Sequence, residues 1–159
     1  RTGTPWHWYA GDSAAVGCGW TSPQPYSRHD VAVIDMAPGI SAARLEAMLT
    51  PRPEAVLLRA YGVGNVPSDE PGLTGVIADV LHDGVPVVIA SQCQQAEVLL
   101  GHYETGDAIA RAGAIGSGDM TLEATYAKIM FLLSQGVIGA DFGKWMHASI
   151  AGEISPSSL

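Results

Sequence analysis

The sequence predicts an α/β domain: a small parallel β-sheet flanked by helices in three layers. Three observations carry that expectation. Short β-branched runs alternate with amphipathic helical stretches from residue 31 onward, the third run is apolar on both faces, and 159 residues leave room for one sizeable core.

Val31-Ala32-Val33-Ile34-Asp35 is the first expected strand, and Pro38-Gly39 turns the chain after it. Ser41 then suits the cap of a helix bearing Arg44 to Leu49, which Pro51 and Pro53 end. Ala55-Val56-Leu57-Leu58-Arg59 is the second strand, followed by a loop from Gly62 to about Gly72. Leu73, Ile77, Val80 and Leu81 share one face of the next helix, closed by Asp83-Gly84. Val85 to Ala90 is the third strand. A polar loop follows, then a helix around Asp107 to Ala112 and a longer one starting near Met120. Asp119 is the expected cap of that helix, with Leu122, Tyr126, Ile129 and Leu133 as its inward stripe. A last amphipathic stretch holds Ile138, Phe142, Trp145, Met146 and Ile150.

Composition narrows the function classes. Eight Lys plus Arg against sixteen Asp plus Glu give a net charge of −8, which disfavours nucleic acid as a partner. No apolar run reaches the roughly 18 residues of a membrane span, so no membrane partner is expected. Cys18 and Cys93 cannot form a disulfide framework, no Cys/His cluster suggests a metal, and a reducing compartment is favoured. Charged residues make up 15% against roughly 25% in typical soluble domains, so part of the surface is expected to be covered by a partner.

Residues 1 to 29 show no sustained period and read as a connector rich in Gly, Ser, Thr and Pro. They carry Trp6, Trp8, Tyr9 and Trp20, apolar groups expected to pack on something, an absent domain included; an aromatic cage beside His7 is the alternative.

In open parallel sheets ligands sit beyond the carboxyl ends of the strands. Two such ends are chemically loaded: Arg59-Ala60-Tyr61-Gly62-Val63-Gly64-Asn65 and Ser91-Gln92-Cys93-Gln94-Gln95-Ala96-Glu97. Arg59 can clamp a carboxylate, Asn65 can donate and accept, and Gly62 and Gly64 let the backbone approach a ligand, an inventory for a small amino acid or amide. Equally, Arg59 can pair with a protein carboxylate, Asn65 can stabilise its own turn, and the glycines can serve backbone dihedrals alone. Cys93 reads as a packed thiol rather than a nucleophile, the five histidines as surface or capping residues, and Glu97 as a general base or a solvated charge. A dinucleotide is excluded, because Pro67 stands where a third glycine is needed after Gly62 and Gly64.

These motifs closely resemble the C-terminal domain of bacterial type I, cytoplasmic L-asparaginases. Leu58 to Asn65, Gly84 to Val88 and Ser91-Gln92-Cys93 carry the resemblance. It continues through Tyr103-Glu104-Thr105-Gly106, Ala112 to Gly116, Asp119 to Thr125, Lys128 and Leu132 to Gln135. It implies the small domain of a two-domain, cofactor-free enzyme that hydrolyses L-asparagine to L-aspartate and ammonia through a threonine nucleophile. Residues 30–159 would then be the small domain, and residues 1–29 the end of a large domain plus the interdomain linker. The family's Thr-Gly-Gly-Thr and Thr-Asp motifs have no match here; Thr2-Gly3-Thr4 lacks the double glycine, so no catalytic nucleophile is expected on this chain.

The resemblance also assigns residues. Asn65 and Glu97 match loops that complete an active site, Asn65 in a neighbouring subunit. Arg59, Asn65, Ser91 and Cys93 match an effector pocket for L-asparagine, with Arg59 on the α-carboxylate. Several members have Thr at Ser91, which keeps the hydroxyl. The expected partners are L-asparagine, the large domain and further copies of the chain, in the cytoplasm. Two other readings stand: a stand-alone asparagine-binding module, and the asparaginase-like subunit of a transfer-RNA-dependent amidotransferase.

Overall fold

The computed structural model describes residues 20, 22–66, 72–93, 96–98, 100 and 109–155. Four parallel strands lie in the order β1 (Val31–Asp35), β2 (Ala55–Ala60), β3 (Val87–Ser91) and β4 (Ile115–Gly116). Among the described residues the helices of seven residues or more are α1 (Ala42–Met48), α2 (Leu73–His82), α3 (Leu122–Ser134) and α4 (Ala140–His147), and residues 109–111, within the helix expected around Asp107 to Ala112, are also helical. The expected α/β class is the observed one.

Strand periodicity divides the core into two. Val56, Leu58 and Ala60 of β2 and Val87 and Ile89 of β3 point to one face, where Leu45 of α1 and Leu73, Ile77 and Val80 of α2 cover them. Ala55 and Leu57, with Val88 and Ala90, point to the other, under Ile129 and Leu132 of α3 and Phe142 and Met146 of α4. β2 is therefore buried nearly throughout, which explains its unbroken apolar run. β1 is an edge strand, and Val33 on it is 48% exposed.

Local signals fare well at α1, where Ser41 Oγ accepts from Arg44 N at 3.1 Å. Three readings change. β4 has no counterpart among the expected strands: two residues are too short for a periodic signal, and the strand exists through pairing of Ile115 and Gly116 with Val88 and Ile89. Thr121, not Asp119, caps α3, its Oγ1 accepting from Ala124 N at 3.2 Å. Asp119 lies two residues short of that position, and Ser155 N donates to its carboxylate at 2.9 Å. The inward face of α3 is also rotated: Thr125, Lys128, Ile129 and Leu132 are buried, and Tyr126 is 38% exposed. Hydrophobic periodicity passes over Thr125 and Lys128 because they are polar. They are buried because the fold supplies acceptors, Thr121 O for Thr125 Oγ1 at 2.8 Å and the C-terminal segment for Lys128.

Trp20 packs within this domain. Its ring meets Phe131 edge-on at 5.3 Å and Trp145 at 4.9 Å, joining the core cluster under α3 and α4. Gln24 and Ser27 bond to Gln135 and Ser134, so the connector from Gln24 to Ser27 runs along α3. Trp6, His7, Trp8, Tyr9, Thr2, Thr4 and Cys18 lie outside the described residues, as do His102 and the Tyr103 to Gly106 motif.

Candidate functional site

Parallel pairing brings the carboxyl ends of β1, β2 and β3 to one edge of the sheet, and Gln92 ties them together. Its Nε2 donates to Met36 O at 2.7 Å and Arg59 O at 2.8 Å, while its backbone N–H donates to Ala60 O at 2.9 Å. Three chain segments thus share one side chain, which makes this end of the sheet a rigid base.

A cavity of about 260 Å³ opens there, walled by Arg59, Ser91, Gln92 and Cys93 on one side. Asp119, Thr121 and Glu123, from the approach to α3 and its first turn, form the other. Its size falls just below the roughly 300–1,000 Å³ typical of drug-sized ligands, so it suits a molecule the size of an amino acid. Arg59 Nη1 lies 2.8 Å from Asp35 Oδ1. Arg59 thus pairs with a protein carboxylate, as one of its two readings expects, and it also faces a cavity.

Ser91 is committed to the backbone. Its hydroxyl donates to Gly62 O and accepts from Cys93 N at 2.9 Å. A hydroxyl has one proton, so to a ligand Ser91 offers its remaining acceptor capacity. Cys93 is exposed, which corrects the expectation of a packed thiol: it stands one residue beyond Gln92, after the sheet has ended.

The Gly62 to Asn65 segment is a tight turn. Tyr61 N donates to Asn65 O and Asn65 N to Tyr61 O, both at 2.8 Å. Gly64, at φ 115°, turns its hydrogen face toward Val98 and Leu100; a Cβ there would stand 3.0 Å from Val98 Cγ1. Gly64 thus serves turn geometry and packing rather than backbone approach to a ligand. Asn65 and Glu97 are not among the residues of the cavity wall, whereas Arg59, Ser91 and Cys93 all are.

Away from the cavity, His29 and Glu54 form a structural pair. His29 Nδ1 and the Asp30 N–H meet the Glu54 carboxylate at 3.1 and 2.6 Å, and these two contacts hold Glu54 below the usual carboxylate range, the Asp30 N–H foremost. His82 and His147 occupy the last turns of α2 and α4. Among the described residues no group of three or more His, Cys, Asp or Glu is placed to hold a metal ion. No helix among them is long and apolar enough to cross a membrane.

Asp119, Thr121 and Glu123 join the cavity wall, and Asp35 joins it through Arg59, only in the folded chain. Of these, Asp35 has a legible signal: two neighbouring strands end in opposite charges, which parallel pairing sets side by side.

Fold and cavity together define a small parallel α/β domain whose carboxyl-end loops enclose an amino-acid-sized polar site. The chain belongs to the glutaminase/asparaginase C-terminal domain family, whose model matches residues 30–146. It is 38% identical over 135 residues to L-asparaginase 1 of Escherichia coli, covering 85% of this chain and 38% of that protein. It is 32% identical over 126 residues to a subunit of the glutamyl-tRNA(Gln) amidotransferase of Pyrococcus furiosus, covering 79% of this chain and 28% of that protein. The crystal structure of L-asparaginase I from Vibrio cholerae superposes with a TM-score of 0.77 at 36% identity, over 83% of this chain and 40% of that one. The thermostable L-asparaginase from Thermococcus kodakarensis gives 0.73 at 34% identity, over 79% of this chain and 38% of that one. The chain thus spans two fifths or less of the length of these relatives.

Proposed function

We propose that this chain is the small domain of an L-asparaginase of the type I class, and that its cavity is an effector site for L-asparagine. The observation that carries the reading is the convergence of Arg59, Ser91 and Cys93 on one cavity at the carboxyl ends of β2 and β3. Arg59 takes the α-carboxylate by charge-assisted hydrogen bonds. Hydrolysis itself, in which a threonine ester forms with loss of ammonia and water then releases aspartate, belongs to the large domain of such an enzyme. Asn65 and Glu97 stand apart from the cavity wall, and their role is to complete an active site, that of a neighbouring subunit in the case of Asn65. The assembly is a homo-oligomer in the cytoplasm, consistent with a chain only 15% charged.

Calorimetric titration of the 159-residue chain with L-asparagine tests the effector site. Binding that Arg59→Ala weakens at least about tenfold supports it, since a charged pair in a partly buried site contributes at least that much. No heat at millimolar asparagine refutes it. Ammonia release by the same chain, checked by mass, would place the nucleophile within these residues instead.

The similarity to an amidotransferase component favours a second reading, that of a subunit acting beside a partner on charged transfer RNA. The net charge of −8 weighs against it. Copurification with RNA or a partner subunit would favour it over the first.

A further inference from the structure

The parallel register sets Asp35, the last residue of β1, opposite Arg59 on β2. Arg59 Nη1 lies 2.8 Å from Asp35 Oδ1 and 3.1 Å from Oδ2. Arg59 is part of the cavity wall and Asp35 is not, so Asp35 holds the guanidinium from outside the wall. The grip is partial. A guanidinium carries five N–H donors in a fixed fork, and the Arg59 Nε–H is buried with no acceptor among the described residues. That buried Nε–H is closed to a ligand, so what the tethered cation has left to offer is its charge and the Nη2 N–H groups, which carry no hydrogen bond among the described residues.

The charges around it are unequal. Arg59 is the cation of the described wall, and Asp119 and Glu123 are its acids. Asp35 adds a third carboxylate against the same guanidinium. A free amino acid with a neutral side chain can place its carboxylate on Arg59 and its ammonium toward the acids. A ligand with a second carboxylate meets no second cation among those wall residues, and Asp35 has already offset the first.

We propose that Asp35 is the positioning and selectivity residue of this cavity: its tether on Nη1 aims the rest of the guanidinium at one ligand carboxylate, and its charge disfavours ligands carrying two. The site then takes the amide, L-asparagine, and rejects the acid, L-aspartate, so an enzyme of this kind would respond to its substrate and not to its product. This rests on the reading of the cavity as an amino-acid effector site. A surface pair of this kind, with the Asp35 side chain 61% exposed, contributes little to folding, so its effect should fall on the ligand rather than on stability.

The test is calorimetric titration of the 159-residue chain with L-asparagine and L-aspartate, in wild type, Asp35→Ala and Asp35→Asn, with urea midpoints measured alongside. Wild type is expected to prefer asparagine by about tenfold or more, the scale on which one unpaired charge discriminates. Asp35→Ala frees the guanidinium and weakens asparagine binding by about fivefold or more with the urea midpoint unchanged. Asp35→Asn keeps an acceptor for Nη1 but not the charge, so it holds asparagine within about twofold and narrows the asparagine-to-aspartate ratio by about threefold or more. Wild-type binding of asparagine with Asp35→Ala indistinguishable from it refutes the role of Asp35 alone, as does equal affinity of wild type for both ligands. No binding of asparagine to wild type refutes the effector reading and this role with it.

Discussion

Among the described residues, Lys128 is the charged residue whose replacement should damage this fold most. Lys128 is 5% exposed, and its Nζ donates to Met146 O at 2.8 Å and Ala148 O at 2.6 Å while standing 2.6 Å from Glu153 Oε1. It therefore ties α3 to the end of α4 and to the segment that follows. Lys128→Met keeps the stem and removes the charge, stranding two carbonyls and leaving Glu153, only 14% exposed, without its cation. Breaking a buried pair from one side costs about 3–5 kcal/mol, a large share of the roughly 5–15 kcal/mol of a domain's stability. At about 2–4 °C per kcal/mol for a chain of this size, the midpoint should fall by about 6–20 °C. Urea and thermal unfolding followed by circular dichroism measure it, and a loss under about 1 kcal/mol would refute the reasoning. The double variant with Glu153→Leu should lose less than the sum of the single variants, because no charge is then left unpaired. The pH dependence follows from Glu153. Burial disfavours its charge, but Lys128 and the N–H groups of Ala151 and Ile150 outweigh that and hold it below its ordinary value of 4.5. The stabilisation is complete above that ordinary value and is lost as pH falls through the lower folded-state value, so Lys128→Met should flatten this part of the acid limb.

Other perturbations separate backbone from side-chain causes. Gly116→Ala would place a Cβ 2.5 Å from Val98 O, a backbone atom that cannot swing aside. A loss of about 1–3 kcal/mol or more in urea denaturation is expected, and wild-type stability would contradict the close approach of β4 to Val98. Ser91→Ala removes the acceptor of Cys93 N and the donor to Gly62 O, which should cost about 1–3 kcal/mol. Ser91→Thr keeps both bonds and should lie near wild type by the same assay. If the two variants lose equally, the hydroxyl does not anchor the turn.

The sequence was most legible where burial and local chemistry agree. β2 and β3 declare themselves because both faces are covered by helices, leaving no polar position to interrupt the apolar run. α1 and α2 are equally clear, through the Ser41 cap and the spacing of Leu73, Ile77 and Val80. Signals failed where a residue's role is set by a distant partner. Lys128 falls outside the hydrophobic stripe of its helix, and only the folded chain surrounds it with Glu153 and two carbonyls. Asp119 looks like a cap until Ser155 takes its carboxylate.

The site divides the same way. Arg59 could be selected from sequence because ligands sit beyond the carboxyl ends of parallel strands, whereas Ser91 and Cys93 are assigned to a pocket by the family resemblance. The tertiary structure decided that Asn65 and Glu97 stand outside the cavity wall and that Ser91 spends its proton on Gly62. It also decided that Asp35 grips Arg59. Periodicity reports which side of an element is buried. Register and loop closure, set by contacts between residues far apart in the chain, determine which polar groups meet, and those are properties of the folded backbone.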